Sequence, residues 1–148
     1  MYKVGIIGPE SSGKSTLARY LAKRYNGIYV PEYGRTFVEQ KGTTEVTWDE
    51  LCAIARHQIE ELESYSGVVF FDTELIVTKI WFEYAFGRVP EWLNENIHRY
   101  PMDVYLLTYP DLPWIPDPAR SNGSDAIRKE LFDRYEAEIQ VRSYDKVG

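Results

Sequence analysis

The sequence predicts an α/β fold of three layers, a parallel sheet of about five strands held between helices. Three observations carry that prediction. Apolar runs without polar alternation, "KVGII" (3–7) and "GVVFFD" (67–72), read as strands covered on both faces. Longer segments between such runs place apolar residues at three- and four-residue spacing, as helices packed on a sheet do. Finally, the stretch "GPESSGKST" (8–16) joins the first apolar run to the first helical segment, where a glycine-rich turn belongs in this fold.

Each element follows in order. The first strand leads into a helix from about Lys14 to Tyr25, with Leu17, Leu21 and Tyr25 at i, i+4 and i+8. "GIYVP" (27–31) is a short second strand, stopped by Pro31, which offers no N–H to a ladder. Thr47 and Glu50 have capping-box spacing and open a long helix whose face carries Leu51, Ile54, Gln58, Leu62 and Tyr65. The third strand is residues 67–72. "ELIVTKIWFEYAFG" (74–87) suits a buried helix stopped by Gly87, and Pro90 opens another that Pro101 closes. "DVYLLT" (103–108) is the fourth strand. Residues 110–123 hold four prolines and "SNG" and read as a loop. "SDAIRKELFDRYEAE" (124–138) is a helix with Ile127, Leu131 and Tyr135 inward, and "IQVRSY" (139–144) is a candidate fifth strand. Strands alternating with helices imply right-handed crossovers. No repeat or linker-like tract divides the chain, so residues 1–148 read as one domain.

Composition narrows the function. With 17 basic and 23 acidic residues the net charge is −6, and no Lys/Arg cluster marks a nucleic-acid surface. No apolar run approaches the ~20 residues that cross a bilayer, and "MYKVGIIG" is too short for a signal peptide. The single cysteine, Cys52, excludes an intramolecular disulfide and fits a reduced, cytoplasmic setting. A small-molecule partner is expected, with no nucleic acid and no membrane.

The motif G-x-x-x-x-G-K-[ST] is complete in Gly8, Gly13, Lys14 and Ser15. Glycines let backbone N–H groups turn inward on anionic oxygens, and the helix start adds partial positive charge. Lys14 can reach the β- and γ-phosphates, and the Ser15 hydroxyl can coordinate Mg²⁺. Gly8, Glu10, Ser11, Ser12, Gly13, Lys14, Ser15 and Thr16 are therefore the expected cradle of a nucleoside triphosphate in a P-loop NTPase fold. No N-K-x-D motif is present, which makes ATP the default over GTP. Asp72 ends its strand where strand C-termini open onto one crevice, placing it to hold Mg²⁺; an aspartate there also suits a helix cap.

On the acceptor side, "PEYGR" (31–35) offers Glu32 as a proton acceptor and Arg35 as its partner or a phosphate contact. "GPESSGKSTLA", "PEYGR", "ARHQIE", "FFDT" with "TKIW", "DVYLL" and "PWIPDPAR", in that order, resemble the NadR-type ribosylnicotinamide kinases and their AAA-like relatives, from about Val4 to Tyr135. The resemblance implies a nucleoside/nucleotide-kinase-like fold and ATP-dependent phosphorylation of the 5′-hydroxyl of nicotinamide riboside in NAD biosynthesis or salvage. It also implies that Glu32, Tyr33 and Arg35 are acceptor-site residues and that Asp72 is the acid near Mg²⁺. Fused members carry an adenylyltransferase and sometimes a helix-turn-helix; this chain contains no H-x-G-H, and neither activity is expected. It ends at "YDKVG", where members usually continue into a last helix.

The Pro-rich stretch and the helix after it, about 111–128, are placed like the lid of a small kinase. Arg120 is the expected lid cation, Arg128 a second, and Trp114 a candidate stack for a planar ring. Both arginines also suit a solvated face. His57, His98 and Cys52 read as structural. Two alternatives stand beside the nicotinamide riboside kinase: a kinase for another nucleoside, and a nucleotide-dependent switch that transfers nothing. Between Glu32 and Asp72 the general base is open.

Overall fold

The computed structural model describes residues 1–9, 13–43, 45–108 and 125–141. Four parallel strands make its sheet: β1 (Tyr2–Ile7), β2 (Ile28–Val30), β3 (Val68–Asp72) and β4 (Val104–Leu107), in the order β2-β3-β1-β4. The register sets Ile6 opposite Asp72, Ile7 opposite Leu107, and Val30 opposite Phe71. Six helices follow the alternation: α1 (Lys14–Arg24), α2 (Tyr33–Lys41), α3 (Trp48–Ser64), α4 (Leu75–Phe86), α5 (Glu91–Arg99) and α6 (Asp125–Val141).

The two faces of the sheet are buried unequally. On one, Val4, Ile6 and Phe70 pack under Ala18 and Ala22 of α1, small residues that let a single helix lie close. On the other, Ile7, Val30, Val69 and Phe71 meet α3, α4, α5 and α6 through Leu51, Ile54, Ile80, Phe82, Leu93, Ile97 and Leu131. Each such side chain contributes about 1.5–3 kcal/mol on burial, so this second face holds most of the core. Gln58 and Thr78 are buried in it too, and they satisfy each other: the Thr78 hydroxyl donates to Gln58 Oε1 at 2.5 Å, joining α3 to α4.

Most predicted elements are present, with two differences. The expected fifth strand is corrected, since residues 139–141 are the last residues of α6; residues 142–144 lie outside the described part. Ile139 explains the helix: with Leu131 and Tyr135 it continues one stripe at i, i+4 and i+8 against the core. The second difference is α2, a helix the sequence did not announce. Its two buried positions are Gly34 and Val38, and one of them bears no side chain to signal an apolar face. Gly34 lets α2 lie close to α4: a Cβ there would stand 3.2 Å from the Trp81 ring, a tight contact.

Candidate active site

The C-terminal ends of β1, β2 and β3 bring the predicted residues together. Gly8 is buried just beyond β1, and Gly13 caps α1 at φ 82°, a left-handed conformation that costs glycine nothing. Gly13 has no side chain to cap the α1 N-terminus, and the first turn carries no acid, so its field is left uncompensated by the helix itself. Lys14 begins the helix and is 5% exposed. Its ammonium lies 3.5 Å from Glu32 Oε2 and 3.7 Å from Asp72 Oδ1, an ion pair shared between two elements.

Asp72 is 2% exposed. Its Oδ2 accepts from the Ser15 hydroxyl at 2.6 Å and from the Tyr29 hydroxyl at 3.0 Å. Its Oδ1 is buried and accepts no hydrogen bond from the described residues, and it faces the Lys14 charge at 3.7 Å. The alternative use of Asp72, capping the next helix, is taken by Glu74, whose Oε1 accepts from the Ile76 N–H at 2.7 Å. Between them Thr73 turns the chain at φ 76°, an outlier for a β-branched residue that costs on the order of 1–3 kcal/mol. Its N–H donates to the Ile6 carbonyl at 2.9 Å and holds the turn. That reversal separates the acid that faces Lys14 from the acid that starts α4.

Burial and the neighbouring Asp72 charge push the Tyr29 phenol up to about 12. The hydroxyl therefore remains protonated, a donor, at any ordinary pH. Tyr29 was invisible to sequence reasoning, because nothing local says which residue of another strand it will reach.

The remaining predicted residues are distributed more widely. Glu32 occupies the N-cap position of α2 without capping it; its carboxylate goes to Lys14 instead. Tyr33, the next residue, stacks on His57 of α3 with ring centroids 3.6 Å apart and planes 17° from parallel. Arg35 bonds Glu39 one turn further along α2, Nε to Oε1 at 3.1 Å, on an exposed surface. Thr16 is exposed at the start of α1. Arg128 is 3% exposed on α6, so the solvated-face alternative does not hold for it. Cys52 is buried on α3, and the α5 residue His98 is exposed. Glu10, Ser11, Ser12, Trp114 and Arg120 lie outside the described residues. No helix among the described residues is long and apolar enough to cross a membrane.

Comparison with known proteins gives the chain its relatives. A family model described as AAA domain matches residues 3–147. The chain is 34% identical over 135 residues to the trifunctional NAD biosynthesis/regulator protein NadR of Escherichia coli K12, covering 86% of this chain and 33% of that protein. It thus spans about a third of the length of the curated relatives it matches. A crystal structure of NadR in complex with NR superposes with a TM-score of 0.72 at 26% identity, covering 96% of this chain and 42% of the other. A second, of NadR with NAD and AMP-PNP, gives 0.73 at 25% identity over the same shares.

Proposed function

The chain belongs to the AAA domain family, and from that premise we propose that it is an ATP-dependent kinase acting on the 5′-hydroxyl of nicotinamide riboside. The products are nicotinamide mononucleotide and ADP, a step in NAD biosynthesis or salvage. The solved relatives support the substrate pair, one holding NR and another NAD with AMP-PNP. One observation in this chain carries the reading: Lys14 stands between Glu32 and Asp72 while the Ser15 hydroxyl bonds the same Asp72.

Each residue then has a distinct task. On this reading Lys14 exchanges its carboxylate partners for phosphate oxygens and stabilises the transferring group. The acceptor oxygen bonds to the γ-phosphorus as the bond to the ADP oxygen breaks. Glu32, released from Lys14, takes the hydroxyl proton. Asp72 is assigned to the metal instead, its Oδ2 held by two hydroxyl donors and its Oδ1 facing Lys14. Its unbonded Oδ1 and the Ser15 hydroxyl are hard oxygen donors that fit Mg²⁺, which binds through one or two protein oxygens plus phosphates. Bound Mg²⁺ supplies neutralisation of phosphate charge. From the sequence alone, Arg120 in the lid region of about 111–128 is assigned the remaining cation and Trp114 the stacking on the acceptor ring.

The test is a panel assay: purified protein, MgATP and a row of nucleosides including nicotinamide riboside, with the product identified by mass. The expected result is ADP released in proportion to nicotinamide riboside, with a product one phosphate heavier. Slow ADP release indifferent to every nucleoside overturns the reading.

A further inference from the structure

We propose that Tyr29 is a positioning residue, fixing the plane of the Asp72 carboxylate that the Ser15 hydroxyl by itself leaves free to turn. The torsion that rotates a carboxylate about its last bond is soft, so one donor on one oxygen is a hinge rather than a clamp. A second donor from another direction closes that freedom. Ser15 approaches from α1 at 2.6 Å and Tyr29 from β2 at 3.0 Å, while Asp72 itself stands on β3. Three elements therefore meet on one oxygen.

The sheet register sets the reach required. Tyr29 pairs with Phe70, and Asp72 lies two residues further along the same strand on the same face. Strand spacing and rise put such positions about 8 Å apart, which a short hydroxyl side chain cannot span and a phenol can. The Arg19 guanidinium, 5.8 Å from the centre of the Tyr29 ring, holds the ring from the α1 side. The bond gives the Tyr29 hydroxyl its acceptor, but it is not the bond that would satisfy the rest of Asp72. The oxygen in need of a donor is Oδ1, and Tyr29 donates instead to the oxygen that Ser15 already serves. The contact therefore orients the carboxylate, turning Oδ1 toward Lys14.

The consequence for Mg²⁺ rests on the kinase reading above; the consequence for carboxylate orientation does not. Tyr29→Phe keeps the ring and removes the hydroxyl. Calorimetric titration should show the affinity for MgATP falling about tenfold, as is typical of lost outer contacts to a metal ligand, with ATP affinity in the absence of Mg²⁺ changed less than about twofold. In an Asp72→Asn background the same substitution should change neither affinity. Equal loss with and without Mg²⁺, no loss at all, or an undiminished loss in the Asp72→Asn background overturns the proposal. If the wild-type protein binds no MgATP, the kinase reading fails, and a crystal structure of the Tyr29→Phe variant decides this one. A carboxylate turned away or split between rotamers supports it, and an unmoved carboxylate overturns it.

Discussion

Lys14 is where sequence and structure meet most directly. A motif lysine is legible from its spacing alone, yet its partners are not: Glu32 lies 18 residues on and Asp72 58 residues on, and both face it within 4 Å. Lys14→Ala is expected to lower turnover about 10²–10³-fold, the range for losing one preorganised charge-stabilising donor. It should also lower the thermal midpoint, because two nearly buried carboxylates lose their shared cation. A coupled ADP assay and circular dichroism measure the two effects, and unchanged turnover moves the site elsewhere. Glu32→Gln separates acceptor chemistry from nucleotide binding. Turnover should fall about 10²–10⁴-fold, as for a lost general base, with ATP affinity nearly kept. The opposite pattern removes Glu32 from the acceptor side.

At the level of elements, local signals succeeded where a residue's role is satisfied within its own segment. The capping box at α3 is complete: Thr47 Oγ1 accepts from the Glu50 N–H at 3.2 Å, and Glu50 Oε1 accepts from the Thr47 N–H at 3.0 Å. Thr47→Ala should cost about 1 kcal/mol, read as a shift in the urea midpoint with no change in slope. An unshifted midpoint would show that packing of Trp48 on Phe82 and Phe86 holds this helix start without the cap. Local signals failed at α2, whose inner face is set by the approach of Trp81 to a glycine rather than by an apolar stripe. They failed differently after Tyr135, where residues 139–144 read as a candidate strand although Ile139 extends the helical stripe. Propensity is a weak prior there, and packing overrides it.

For the whole molecule, stability should depend on pH through Glu61. Burial pushes its carboxyl up to about 7 from the ordinary value of 4.5. His57 Nε2, at 3.8 Å from Oε1, lies beyond hydrogen-bonding distance. The folded state therefore holds this proton more tightly than the unfolded state does. The stabilisation is full below about pH 4.5 and is lost as pH rises through about 7. Relative to Glu61→Gln, the wild-type protein should lose thermal midpoint between pH 4.5 and pH 7 and stay lower above it. Parallel pH profiles for the two proteins would refute the assignment. The division of labour has one physical cause. Glycine spacing, apolar period and capping residues act over a few neighbouring positions, so the sequence by itself determined the α/β class, most of its elements and the phosphate loop. Strand order and register depend on pairing between segments tens of residues apart. Only the tertiary structure decided that β2 lies beside β3, and so which side chains, Tyr29 above all, surround Asp72.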